Sequence, residues 1–274
     1  MARRNIWSAF AALGIMATTA QPVSAYTILP PSSDIAGRSI AEWTAAWWTW
    51  ALQAPAATNP LTDPTGAFAG VNNTGPVFFI ASTNGLSGPA VRSFDVPAGK
   101  PVLVPLLPFS DLEAVGFSSG TSFAERQAAA NATVAQWLGS VNAASLFASV
   151  DGSPVANLTE HLEVTDIFSA GPTQPGSYAE AVGIPAGVEL SPAKAAGYWL
   201  MIADLAPGPH TLRFGGSSNA VASAGIPAFS SEVTDTVLVG PSASVPEPAS
   251  ALLALPGLTG LLALRRTRRQ RVLG

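Results

Sequence analysis

The chain has 274 residues, no cysteine and two histidines, with 13 Lys and Arg against 17 Asp and Glu. These counts exclude disulfides, a cysteine nucleophile, zinc–thiolate sites and multi-histidine metal centres. All the acidic residues lie between Asp34 and Glu247. Only six basic residues share that stretch, so the body of the chain is acidic and nucleic-acid binding is disfavoured.

The N-terminus reads as an export signal. Arg3 and Arg4 precede an apolar run over 6–17, and "TTAQPVSA" ends in the small residues Val23-Ser24-Ala25. Cleavage is expected after Ala25, leaving Tyr26 as the new N-terminus. Residues 26–37 then form an extended lead-in. "SIAE" from Ser39 is a capping box, in which Ser39 and Glu42 satisfy the orphan N–H groups of a helix running to Pro55. After the turn residues "TNPLTDPTG" come β-rich runs at "GPVFFIAS", "AVRSFDV" and "KPVLVPLLPF", the last two joined by the turn "VPAGK".

A second capping box, Ser122 with Glu125, starts a helix that stops at Gly139. A strand follows with an Asp151-Gly152 turn, then a strand in "EHLEVTDIF" around Leu162, Val164 and Ile167. "GYWLMIADLAPGPHTLRFGG" reads as a hairpin around "APGPH", and "SEVTDTVLVG" as a last strand. This pattern predicts a mainly β, α+β fold: an antiparallel β-sandwich or jelly-roll-like domain with two helices. A cupin-like barrel could share the strand content but would lack metal-binding histidines.

The chain closes on "VPEPASALLALPGLTGLLALRRTRRQR". Residues 249–264 are 16 uncharged residues with seven leucines. As a helix they would span about 24 Å against about 30 Å of hydrocarbon, a marginal single transmembrane helix. Arg265, Arg266, Arg268, Arg269 and Arg271 would hold its end on the cytoplasmic side. Pro246-Glu247-Pro248, the apolar span and the arginine cluster, in that order, resemble a PEP-CTERM sorting signal. The resemblance implies an exosortase substrate of a Gram-negative bacterium. Such a chain is anchored briefly in the inner membrane, then released to the cell surface or extracellular matrix. The expected organisation is a signal peptide over 1–25, an exported β-rich domain over 26–240 and a sorting signal over 241–274. Signal peptidase and exosortase are the expected processing partners, and exopolysaccharide a further one.

The middle of the chain also resembles a family of uncharacterised secreted bacterial proteins. The resembling residues are "AEWTAAWWTWAL", "NPLTDPTG", "GPVFFIAS", "RSFDVPAGKPVLVP", "VDG" and "PGPHTLRF". That family implies a cysteine pair near Ala69 and Phe94, which this chain lacks. It implies a shared fold and no activity.

Within the domain, Ile40, Trp43, Trp47, Trp50 and Ala54 follow one helical face, with Trp48 off the stripe. The stripe reads as a face packed on a sheet; the alternative is an aromatic platform of Trp43, Trp47, Trp48 and Trp50 for sugar rings. "GFSSG" at 116–120 matches a serine-hydrolase pattern, with Ser118, Asp204 and His210 in triad order, but the alternating strand–helix units of that fold are missing. His161 and His210 read as structural. Glu160 and Glu163, flanking His161, would point to opposite faces of a strand. Asn72, Asn131 and Asn157 head sequons and read as exposed. No catalytic constellation or cofactor is expected. The leading expectation is a structural or adhesive, non-catalytic surface or biofilm-matrix protein. The alternative is a carbohydrate-binding module or carbohydrate-active enzyme.

Overall fold

The computed structural model describes residues 26–83, 88–114 and 122–240. The expected signal peptide, the expected sorting motif Pro246-Glu247-Pro248, the expected transmembrane helix, the arginine cluster and Ser118 lie outside the described residues.

Both capping boxes form. Ser39 Oγ accepts from the Glu42 amide at 3.2 Å while Glu42 Oε2 accepts from the Ser39 amide at 2.8 Å, starting helix α1 (Ile40–Gln53). Ser122 and Glu125 repeat the arrangement at the start of α2 (Phe123–Leu138). A third, four-residue helix that the sequence does not announce, α3 (Tyr178–Ala181), is capped by Ser177.

The strands in chain order are β1 (Thr27–Leu29), β2 (Asp34–Ile35), β3 (Arg38–Ser39), β4 (Phe78–Phe79), β5 (Ala90–Val96), β6 (Val102–Leu112), β7 (Val141–Val150), β8 (Ser153–Pro154), β9 (Leu162–Val164), β10 (Ala193–Ala203), β11 (Gly208–Ser218) and β12 (Phe229–Val239). The first large sheet has the order β1-β10-β6-β4. Because β6 pairs with β10 along nearly its whole length, β1 and β9 share the opposite edge of β10. The second large sheet has the order β5-β12-β11-β7-β8. Apolar side chains from both sheets, including Leu106, Leu200, Phe214 and Val237, form one core between them. α1 roofs the outer face of the first sheet, and α2 fills the inner side beside Leu107 and Ala196.

Two expectations need correction. The sheets are mixed and not wholly antiparallel: β4 runs parallel to β6, and β5 parallel to β12. The "APGPH" stretch does not close a hairpin either. β10 pairs with β1, β6 and β9, whereas β11 pairs with β12 and β7, so this turn carries the chain from one sheet to the other. The physical reason is that both runs offer an apolar face, and stacking those faces buries more than pairing their edges would. "VPAGK" makes the same crossing between β5 and β6, turned by Gly99 at φ +77°.

Pro105 and Pro108 in β6 mark a strand edge. Past Leu103, no described strand pairs with the second edge of β6, so missing N–H groups there break no ladder. Three residues apart, their nitrogens would normally point to opposite edges. A bulge restores the parity: Tyr198 faces Leu107 while Trp199 faces Pro105, leaving Leu106 as the extra residue. Leu106 and Leu107 are both fully buried.

Candidate functional site

The tryptophans of α1 are the most concentrated aromatic feature, and their ring faces are covered. Trp43, Trp47, Trp48 and Trp50 are 5%, 0%, 5% and 7% exposed. Trp47 packs edge-on against Trp48 and Trp199, with centroids 5.0 and 5.2 Å apart. Three indole N–H groups are spent on backbone carbonyls: Trp43 on Ile35 at 2.9 Å, Trp47 on Ile80 at 2.7 Å and Trp50 on Val71 at 2.7 Å. The first bond ties α1 to β2, and the other two tie it to the segments flanking β4. A platform for sugar rings needs faces open to water, and this helix offers none.

Trp48, off the stripe in sequence, is buried from another direction. It forms one wall of a cleft of about 240 Å³ with Phe109, Trp137, Ile226 and Phe229, beside the free edge of β6. The indole nitrogens of Trp48 and Trp199 have no hydrogen-bond partner among the described residues. Gly197 is what lets Trp199 sit where it does: a Cβ there would lie 2.8 Å from Trp199 Nε1 and 2.6 Å from the Leu107 carbonyl.

Opposite Gly197 in register is Glu163 on β9. The strand expected around Leu162, Val164 and Ile167 is confined to Leu162–Val164, where Leu162 and Val164 are 37% and 42% exposed while Glu163 is 8% exposed. β9 has turned its apolar side chains outward and its carboxylate towards the face covered by α1. Desolvation without a compensating partner pushes the Glu163 carboxyl up to about 7. Glu160 lies on the exposed 3-10 turn before β9 (Leu158–His161), so the two glutamates do not build a facing pair.

The candidate hydrolase residues are not brought together. His210 Nε2 donates to the carbonyl of Ala206 at 2.7 Å, and Nδ1 lies 2.8 Å from Asp151 Oδ2. Asp204 instead accepts from Thr27 Oγ1 at 3.2 Å. With both ring nitrogens engaged, His210 has none left to take a proton from a serine. Asp151 also accepts from the Thr211 amide, so the pair locks the β7–β8 turn to the start of β11. Sequence reasoning missed this partner because Asp151 lies 59 residues away.

His161 ends the 3-10 turn and does not sit in a strand. It is 8% exposed and has no hydrogen-bond partner among the described residues. Ala69 and Phe94, the positions where the resembled family implies cysteines, both line one small cavity beside Arg92. Arg92 itself is engaged with Asp235 at 2.8 and 2.9 Å and with the Ala81 carbonyl at 2.7 Å, all buried. Asn72, Asn131 and Asn157 are exposed. Among the described residues, no group of three or more His, Asp or Glu could hold a metal ion, and no helix is long and apolar enough to cross a membrane.

Comparison with protein-family models, with curated proteins and with solved structures finds no match.

Proposed function

We propose that this chain is exported, held briefly in the inner membrane and delivered by an exosortase to the cell surface or extracellular matrix. There its β-sandwich domain serves a structural or adhesive role within exopolysaccharide, without catalysis. The carrying observation is the order Pro246-Glu247-Pro248, uncharged apolar span and five-arginine cluster, at the opposite end from a basic, apolar, small-residue leader. The geometry of the body supports a structural role. The tryptophans of α1 are spent on packing, and His210 and Arg92 on clamps between distant segments.

The test is fractionation of the native host expressing either the parent chain or a variant with Pro246, Glu247 and Pro248 all changed to alanine. The parent is expected at the surface or in the medium, and the variant in the inner-membrane fraction. Equal surface delivery of both would overturn the proposal.

A further inference from the structure

Where β1 meets the segment between β8 and β9, a pocket of about 420 Å³ opens on the surface. Its size falls within the roughly 300–1,000 Å³ of small-molecule sites. Tyr26, Ile28 and Pro30 line one side; Asn157, Glu160 and His161 line the other.

The two histidines of this chain stand in opposite conditions. His210 is engaged at both ring nitrogens, whereas His161, comparably buried as a residue, is engaged at neither among the described residues. Its ring nitrogens are left to solvent on the wall of an open pocket, where an incoming molecule can bond them.

The lining decides the chemistry. Burial lowers the pKa of the His161 ring, with Glu160 acting in the opposite direction. The neutral ring presents one N–H donor and one acceptor nitrogen. The Glu160 carboxylate adds acceptors on the rim, and Asn157, held at φ +56°, adds an amide beside them. Proline and isoleucine surfaces and the Tyr26 ring supply apolar contact. Alternating hydroxyl and C–H faces on a sugar ring match this mixture. A phosphate or uronate would meet the Glu160 charge with no cation among the lining residues.

We propose that this pocket binds a neutral glycosyl unit, with His161 and Glu160 as its hydrogen-bonding residues. The inference deepens the matrix reading by giving exopolysaccharide a contact point, but it does not require the sorting tail.

The chain's two histidines make the test direct. Imidazole C–H resonances of the full chain, in a detergent without a sugar headgroup, are followed during titration with cellotriose, maltotriose, chitotriose, trigalacturonate or spermidine. A neutral trisaccharide is expected to move the His161 signal saturably and leave His210 still. Glu160→Gln, an exposed change read on the same signal, and His161→Phe, read by titration calorimetry because it removes that signal, should each weaken binding about tenfold. The proposal fails if no neutral sugar moves His161 at about 50 mM. It also fails if only trigalacturonate or spermidine does, or if both variants bind as tightly as the parent. Because binding is read on purified protein, a failure here leaves the sorting proposal standing, and failed sorting leaves this one standing.

Discussion

The outer faces of the two large sheets carry opposite chemistry. On the first sheet, β10 is buried along almost its whole length because α1 lies over one side and the shared core under the other. On the second, β12 alternates: Val233, Asp235 and Val237 point inward, while Thr234, Thr236 and Leu238 point out. Cross-strand register places Thr236 between Thr211 and Ser93, so a hydroxyl-bearing row faces outward where α1 has no counterpart among the described residues. Period-two patterning shows only where one face is wet; a strand covered on both sides reads as a continuous apolar run. The difference also says where stability resides, and the following substitutions measure it.

The largest effect is expected on the roofed face. Trp47→Ala removes a fully buried ring together with its bond to the Ile80 carbonyl. It should cost about 3–5 kcal/mol, measured by urea unfolding followed by circular dichroism. A loss below about 1 kcal/mol would mean that α1 is not packed as described.

Between the sheets the decisive pair is Arg92 with Asp235, 3% and 0% exposed. Asp235→Ala strands a buried guanidinium and should cost about 3–5 kcal/mol. On the wet face, Arg213 and Glu232 also meet at 2.8 Å but are half exposed. Arg213→Ala should cost no more than about 1 kcal/mol, and equal losses at the two pairs would break the comparison.

Glu163 offers a pH test of the roof. Its carboxyl is held at about 7 against an ordinary value of 4.5. Below pH 4.5 it is protonated in both the folded and unfolded chain, and stability is full. As pH rises to about 7 the unfolded chain ionises first, so stability falls by about 3 kcal/mol and then levels off. Glu163→Gln should flatten that fall and unfold at higher urea than the parent at pH 8. Identical pH profiles for the two chains would show that Glu163 is not under the roof.

The smallest effect belongs to the bare face. Thr236→Ala, at an exposed position of β12, should change stability by no more than about 0.5 kcal/mol in the same urea assay.

What the sequence made legible was local. Ser39 with Glu42 and Ser122 with Glu125 announce helix starts through contacts three residues apart, and Ala90–Val96 alternates because β5 has one wet face. Pairing was not legible. The runs flanking "APGPH" are adjacent in the chain yet belong to different sheets, and the partners of β10 and β11 are chosen by apolar surfaces far away. β9 shows the limit most sharply: three residues carry too little pattern to set their own face, so Glu163 ended inside and Leu162 outside. Of the candidate residues, the tryptophans were readable as a stripe, but Trp48 shares a cleft with Trp137 of α2 and the segment before β12, which no helical spacing predicts. His161 was visible only as a histidine; the want of a partner that distinguishes it from His210 arises in three dimensions.

The central claim, that the tail is a sorting signal removed before the protein works, is tested most directly by mass spectrometry of the surface-released form, reading both termini. The released chain is expected to begin at Tyr26 and end before Arg265, without the arginine cluster. A surface-released chain that still carries residues 265–271 would contradict it.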